Sequence, residues 1–173
     1  FLGWSPSPIN ITGELDCYAQ FTVLDSTWYT INLPDITDCT DYSGNVSNGY
    51  VLNEAGRTMT LTACKNKLNK AVKVPSQLEV NGTAYTITTV GGFRDHDNIE
   101  LLSLPETTVE IAAHGFYSCN YLNELNIPEN VTTIGESAFH GCTSLDEVFI
   151  PNKVTRIGKA AFANCHSIET III

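Results

Sequence analysis

Basic residues are scarce in this chain: nine Lys and Arg stand against nineteen Asp and Glu, for a formal net charge of −10. Nucleic acid and anionic membrane surfaces need the opposite balance, so the composition argues against both as partners. No apolar run approaches the ~18 residues that a membrane-spanning helix needs. The chain also has no G-x-S-x-G elbow, H-E-x-x-H pair, Gly-rich phosphate loop or C-x-x-C pair. Its histidines (His96, His114, His140 and His166) are scattered. No catalytic, cofactor-binding or metal-ligating set is expected.

What the chain does have is a period. Phe93, Phe116, Phe139 and Phe162 fall 23 residues apart. The same step relates Cys119, Cys142 and Cys165; Pro105, Pro128 and Pro151; Ile111, Ile134 and Ile157; and Ile99, Leu122, Leu145 and Ile168. One unit reads Cys119-x-x-Leu122-x-x-Leu125-x-Ile127-Pro128-x-x-Val131-x-x-Ile134-Gly135-x-x-Ala138-Phe139. A fixed period in the range of about 20–29 residues with L-x-x-L-x-L spacing is the signature of a leucine-rich solenoid.

Each turn of a solenoid buries its apolar side only against its neighbours. Alternation in Leu125-x-Ile127 puts both side chains on one face of a short strand and Asn126 on the other. Pro128 has no N–H for a ladder, so the strand is expected to end there. Val131-x-x-Ile134-Gly135 makes a second short extended piece, with Gly135 supporting a corner. Ser137-Ala138-Phe139 reads as a helical turn whose ring plugs the core. Stacked turns then align into a parallel sheet.

On these residues the chain resembles the BspA-like leucine-rich repeats of bacterial surface proteins, whose unit reads I-P-x-x-V-x-x-I-G-x-x-A-F-x-x-C. Val131 to Cys142 and Val154 to Cys165 fit closely. An earlier turn departs, with Thr108 for Val, Ala112 for Gly, Gly115 for Ala and His96 for Cys. The resemblance implies a leucine-rich-repeat solenoid over 72–173, of about four turns and truncated at its C-terminus. It is expected to be a right-handed α/β solenoid. For function it implies secretion or cell-surface location and a non-catalytic role in adhesion or protein binding.

Upstream, Phe1-Leu2-Gly3-Trp4, Ile11-Thr12-Gly13 and Tyr18-Ala19-Gln20-Phe21 are similar to the closing half of the β-grasp B-repeat of internalin-type surface proteins. That resemblance makes 1–23 a remnant of such a repeat. The chain opens at Phe1 rather than on Met, which reads as a piece of something longer. Residues 24–71 are expected to form a β-rich N-terminal cap or linker. Trp28 to Leu33 alternates like a strand and stops at Pro34. Asp35, Asp38 and Asp41 suggest either a calcium site or a solvated acidic loop; the Gly and terminal Glu of a calcium loop are missing.

Tyr50-Val51-Leu52 and Arg57 to Ala63 predict a hairpin around Asn53 to Gly56, with Met59, Leu61 and Ala63 facing inward. Lys65, Lys67, Lys70 and Lys73 then read as a partner patch or as an edge that discourages strand pairing. Val72-x-Val74-Pro75 restores the repeat phase. From Pro75 to Pro105 is 30 residues, and the excess falls at Asn81-Gly82, a strong hairpin-turn signal.

The cysteine ladder is expected to be reduced. Stacked side chains with parallel vectors sit one rung apart, beyond the ~3.5–4.5 Å Cβ separation that a disulfide prefers. Their column lacks the tetrahedral convergence of a zinc site. Cys17 and Cys39 lie outside the ladder and are candidates for a pair, and Cys64 is expected in the cap core. At position 96, a buried imidazole or a distorted first rung is expected.

Binding is expected on the outward strand positions, which alternation gives as Leu101, Ser103, Glu124, Asn126, Glu147, Phe149, Thr170 and Ile172. Glu124 and Glu147 should be neighbours across rungs. The expected function is a non-catalytic extracellular interaction module that takes a protein or glycan partner on another cell or matrix. The alternatives are a structural spacer in a multidomain surface protein and an accessory domain of a secreted hydrolase. The bare rung at Ile171-Ile172-Ile173 is expected to be covered by another molecule or a following domain, with weak self-association through this edge in isolation.

Overall fold

The computed structural model describes residues 28–173, apart from 38, 41–45 and 66–69. The stretch 1–23, with Cys17 and its candidate pairing, and Asp38, Asp41 and Lys67 lie outside the described residues. In chain order the strands begin β1 (Tyr29–Thr30), β2 (Cys39–Thr40), β3 (Val46–Ser47), β4 (Tyr50–Asn53) and β5 (Thr58–Leu61). They continue with β6 (Ala71–Lys73), β7 (Gln77–Val80), β8 (Thr83–Val90), β9 (Leu101–Ser103) and β10 (Glu110–Ile111). The last five are β11 (Glu124–Asn126), β12 (Thr133–Ile134), β13 (Glu147–Phe149), β14 (Arg156–Ile157) and β15 (Thr170–Ile172).

Two walls of the solenoid are sheets. The first runs β1-β6-β9-β11, all parallel, and β13 and β15 form a further parallel pair. Register follows the repeat: Val72 faces Leu102, Leu102 faces Leu125, and Val148 faces Ile171. Each strand stops short of the repeat proline, because a residue without an N–H cannot continue the ladder. Tyr29–Thr30, in the segment read as a cap, lies parallel beside β6 and adds a rung ahead of residue 72.

The second wall runs β14-β12-β10-β8-β5-β4, with Ile111 facing Ile134 and Ile134 facing Ile157. It carries the two hairpins that the turn residues predict, one closing its far end and the other built on β8. In one, β4 pairs antiparallel with β5, placing Met59 and Leu61 in the core and Ala63 half-buried beyond the strand. In the other, β7 pairs antiparallel with β8 around Asn81 and Gly82, both left-handed at φ 52° and 77°. That is the backbone an Asn-Gly two-residue hairpin turn requires.

The third wall corrects the expected helical turn. Between Gly135 and Cys142 the chain forms turns, and two columns of left-handed residues recur in register. One is Asp95, Ser118, Gly141 and Asn164; the other is His114, Ser137 and Ala160, with φ between 51° and 76°. Each left-handed residue breaks a right-handed helix before it can propagate. The peptide groups are thereby turned along the solenoid axis. N–H groups of His114, Phe116 and Ser118 donate to the carbonyls of Glu136, Ala138 and His140, each at 2.8 Å. Ser137, Phe139 and Gly141 repeat this toward Lys159, Ala161 and Ala163. A helix would have kept those bonds within the turn; here they tie turn to turn.

Inside, the four phenylalanines stack. Ring centroids are 5.1 Å apart from Phe93 to Phe116, 5.1 Å from Phe116 to Phe139 and 5.2 Å from Phe139 to Phe162, with planes within 12° of parallel. Ile99, Leu122 and Leu145 form a second buried column at the same step of 23. The repeat Gly has a packing reason rather than the conformational one expected. A Cβ at Gly135 would sit 2.4 Å from the backbone nitrogen of Ala113, so each glycine admits close approach of the preceding turn.

Candidate binding face

The first wall, made of the β1-β6-β9-β11 sheet and the β13-β15 pair, carries the candidate residues. Alternation along each short strand turns Leu102, Leu125 and Val148 inward and leaves their flanking residues outward. Glu124, Asn126, Glu147, Phe149, Thr170 and Ile172 are exposed, and Leu101 and Ser103 are half-buried. The structure therefore places all eight predicted positions on one face. Phe149 is 42% and Ile172 39% exposed, large apolar side chains left open to solvent.

The expected adjacency of Glu124 and Glu147 needs refinement. Their strands β11 and β13 lie side by side, but no ladder joins them. This is the single interruption of that wall among the described residues, and it falls where two carboxylates stand on consecutive rungs. Like charges directly opposite destabilise a sheet.

Sequence reasoning missed a further column at the residue before each strand: Glu100, Asn123, Asp146 and Glu169. The signal was present, since these positions also keep the step of 23. Asp146 and Glu169 join Glu147 and Thr170 around one shallow depression between the last two turns. Glu100 is paired with Lys70, whereas Glu124, Asp146, Glu147 and Glu169 make no ion pair among the described residues. Among the described residues the expected lysine run thus contributes one ion-pair partner to this face. Lys65 instead donates to the carbonyl of Pro34 at 2.7 Å.

Other chemistry-bearing residues are tied into the scaffold. The thiols of Cys119, Cys142 and Cys165 reach the carbonyls of Phe93, Phe116 and Phe139 in the preceding turn at 3.0, 3.2 and 3.0 Å. The ladder is therefore a column of weak donors as well as small hydrophobes, an added role that spacing alone did not show. Burial pushes the Cys119 thiol up to about 12. Contact with the Cys165 thiol, and then burial, raises Cys142. His96 occupies the cysteine position and is buried. Its ring nitrogens lie 3.1 and 3.2 Å from the carbonyls of Arg94 and Lys65, fastening the first full turn to the hairpin segment. On the outer corner the Arg94 guanidinium lies 4.6 Å from the Tyr117 ring, which stacks on His140 at 4.6 Å. Among the described residues no group of three or more His, Cys, Asp or Glu is arranged to hold a metal. No described helix is long and apolar enough to cross a membrane.

Short in-register strands, stacked phenylalanines and a turn-to-turn hydrogen-bonded corner define a leucine-rich-repeat solenoid. A family model described as a BspA type leucine-rich repeat region matches residues 70–173 in six copies. The chain belongs to this family. A leucine-rich repeat protein from Bacteroides capillosus is similar in structure at 27% identity and a TM-score of 0.64, over 71% of this chain and 91% of that one. A leucine-rich repeat protein from Bacteroides ovatus matches at 26% identity and a TM-score of 0.58, over 72% of this chain but only 39% of its own. The T. pallidum leucine-rich repeat protein, at 24% identity and a TM-score of 0.56, covers 70% of this chain and 66% of its own and shows the fold alone. Among curated proteins the chain has no significant match.

Proposed function

We propose that this chain is a non-catalytic protein-interaction module of a bacterial cell-surface or secreted protein, binding its partner through the outward face of the first wall, across β9, β11, β13 and β15. The observation that carries this reading is the exposure, in register over successive turns, of Glu124, Asn126, Glu147, Phe149, Thr170 and Ile172. A rigid repeated face of this kind gives an extended contact surface. Family membership and the bacterial leucine-rich repeat neighbours support the bacterial setting. The last rung, with Ile171 and Ile173 exposed, supports a weak second contact between copies of a polypeptide of residues 1–173. Sedimentation across a concentration series checks it, and a polar capping turn added after Ile173 should abolish the association.

The main reading is tested by retention of matrix or partner-cell proteins on the immobilised chain, repeated with Glu124→Gln, Glu147→Gln and Phe149→Ser combined. Loss of specific retention on the variant is expected. Equal retention by both would contradict the sheet face as the binding surface. Absence of any retained partner would favour the spacer role.

A further inference from the structure

The outward face is divided along its length. At the starts of the strands stand Glu124 and Glu147, with Asp146 and Glu169 one residue earlier, all exposed and without an ion pair among the described residues. Two residues further along the strands stand Asn126, Phe149 and Ile172, neutral and increasingly apolar toward the last turn. At ~3.3 Å per residue the two columns are separated by about 6.6 Å, and rungs repeat every ~4.7–4.9 Å. No Lys or Arg lies on these strands beyond Lys73; Lys153, Arg156 and Lys159 belong to the other walls. The break in the ladder between β11 and β13 coincides with the uncompensated Glu124 and Glu147.

We infer that the face is built for a cationic, extended protein segment laid along the solenoid axis. Its Lys or Arg side chains bridge the carboxylate column and its alternate apolar side chains cover Phe149 and Ile172. This rests on the sheet-face reading above and adds the chemistry of the partner. In an extended segment alternate side chains point to opposite sides, which matches two parallel columns of different character. A cation between Glu124 and Glu147 relieves the like-charge opposition, and the apolar column supplies the part of the contact that salt does not screen. An acidic glycan is repelled by the same face.

The test uses the full chain and a labelled synthetic peptide of alternating lysine and valine, read by fluorescence anisotropy. Wild type should bind. The face variant Glu124→Gln, Asp146→Asn, Glu147→Gln, Glu169→Gln should weaken binding by about tenfold or more, and Phe149→Ser by several-fold. The control variant Glu106→Gln, Glu110→Gln, Glu129→Gln, Glu136→Gln removes the same charge from exposed positions elsewhere and should stay within about twofold of wild type. Raising NaCl to about 0.5 M, where the Debye length is about 4 Å, should weaken but not abolish wild-type binding. No binding by wild type, or equal loss in both charge variants, overturns the inference; equal loss would mark attraction to net charge alone. Displacement of the peptide by a neutral polysaccharide would assign the face to a glycan and overturn it as well. If native proteins are retained through the face but neither salt nor the four-charge variant matters, the cationic partner fails while the sheet-face reading stands.

Discussion

Single side chains show how closely the repeat tolerates departure. Thr108 takes the place of the valine found at Val131 and Val154; it is fully buried, and its hydroxyl has no hydrogen-bond partner among the described residues. An unsatisfied buried hydroxyl costs about 1–3 kcal/mol, so Thr108→Val should stabilise the fold by an amount in that range in denaturant melts. Unchanged or lower stability would show that the hydroxyl is satisfied. Phe139 is the opposite case, fully buried between Phe116 and Phe162. Phe139→Ala should cost about 3–5 kcal/mol, and a loss under about 1 kcal/mol would place the ring outside the core. Burial disfavours the Cys119 thiolate and pushes the thiol up from 9.0 to about 12. A raised acid pKa in the folded state makes stability complete below about 9 and lost as pH climbs toward 12. Unfolding free energy should therefore fall above pH 9, by up to ~1.4 kcal/mol per unit for each such thiol, and less in Cys119→Ala.

At the level of elements, strands and hairpins were legible because their signals are local. Alternation in Leu125-x-Ile127, the stop at Pro128 and the Asn81-Gly82 turn each depend on neighbours in sequence, and each appears where expected. The corner was not legible, because its left-handed positions are occupied by Ser137, Ala160, His114 and Asn164 as readily as by glycine. Its backbone is fixed by bonds to the next turn, information that no single unit contains. Gly135 was read as a conformational device, whereas its need is space beside Ala113. The first full turn drops that glycine for Ala112 and compensates at Gly91, where a Cβ would lie 2.8 Å from the Ala112 Cβ. Gly135→Ala should thus cost about 1–3 kcal/mol through overpacking against backbone. Thermal melts check this, and a neutral result would mean that the turns stack less tightly than described.

For the whole molecule, the candidate face was legible as positions and only partly as a surface. The period gave Glu124, Glu147 and Phe149, while the column one residue earlier was passed over because strand alternation alone would turn it inward. What unifies fold and face is nearest-neighbour stacking, in which stability is close to a sum over turns and the contacts between them. A double-mutant cycle on the phenylalanine column measures that directly. Phe116 and Phe139 are one turn apart and stacked, whereas Phe93 and Phe162 are three turns apart. With Phe→Leu substitutions, the first pair should show a coupling energy of about 0.5–1.5 kcal/mol, and the second pair should be additive within about 0.5 kcal/mol. Additivity in the first pair, or equal coupling in both, would contradict the stacked, in-register solenoid on which the candidate face depends.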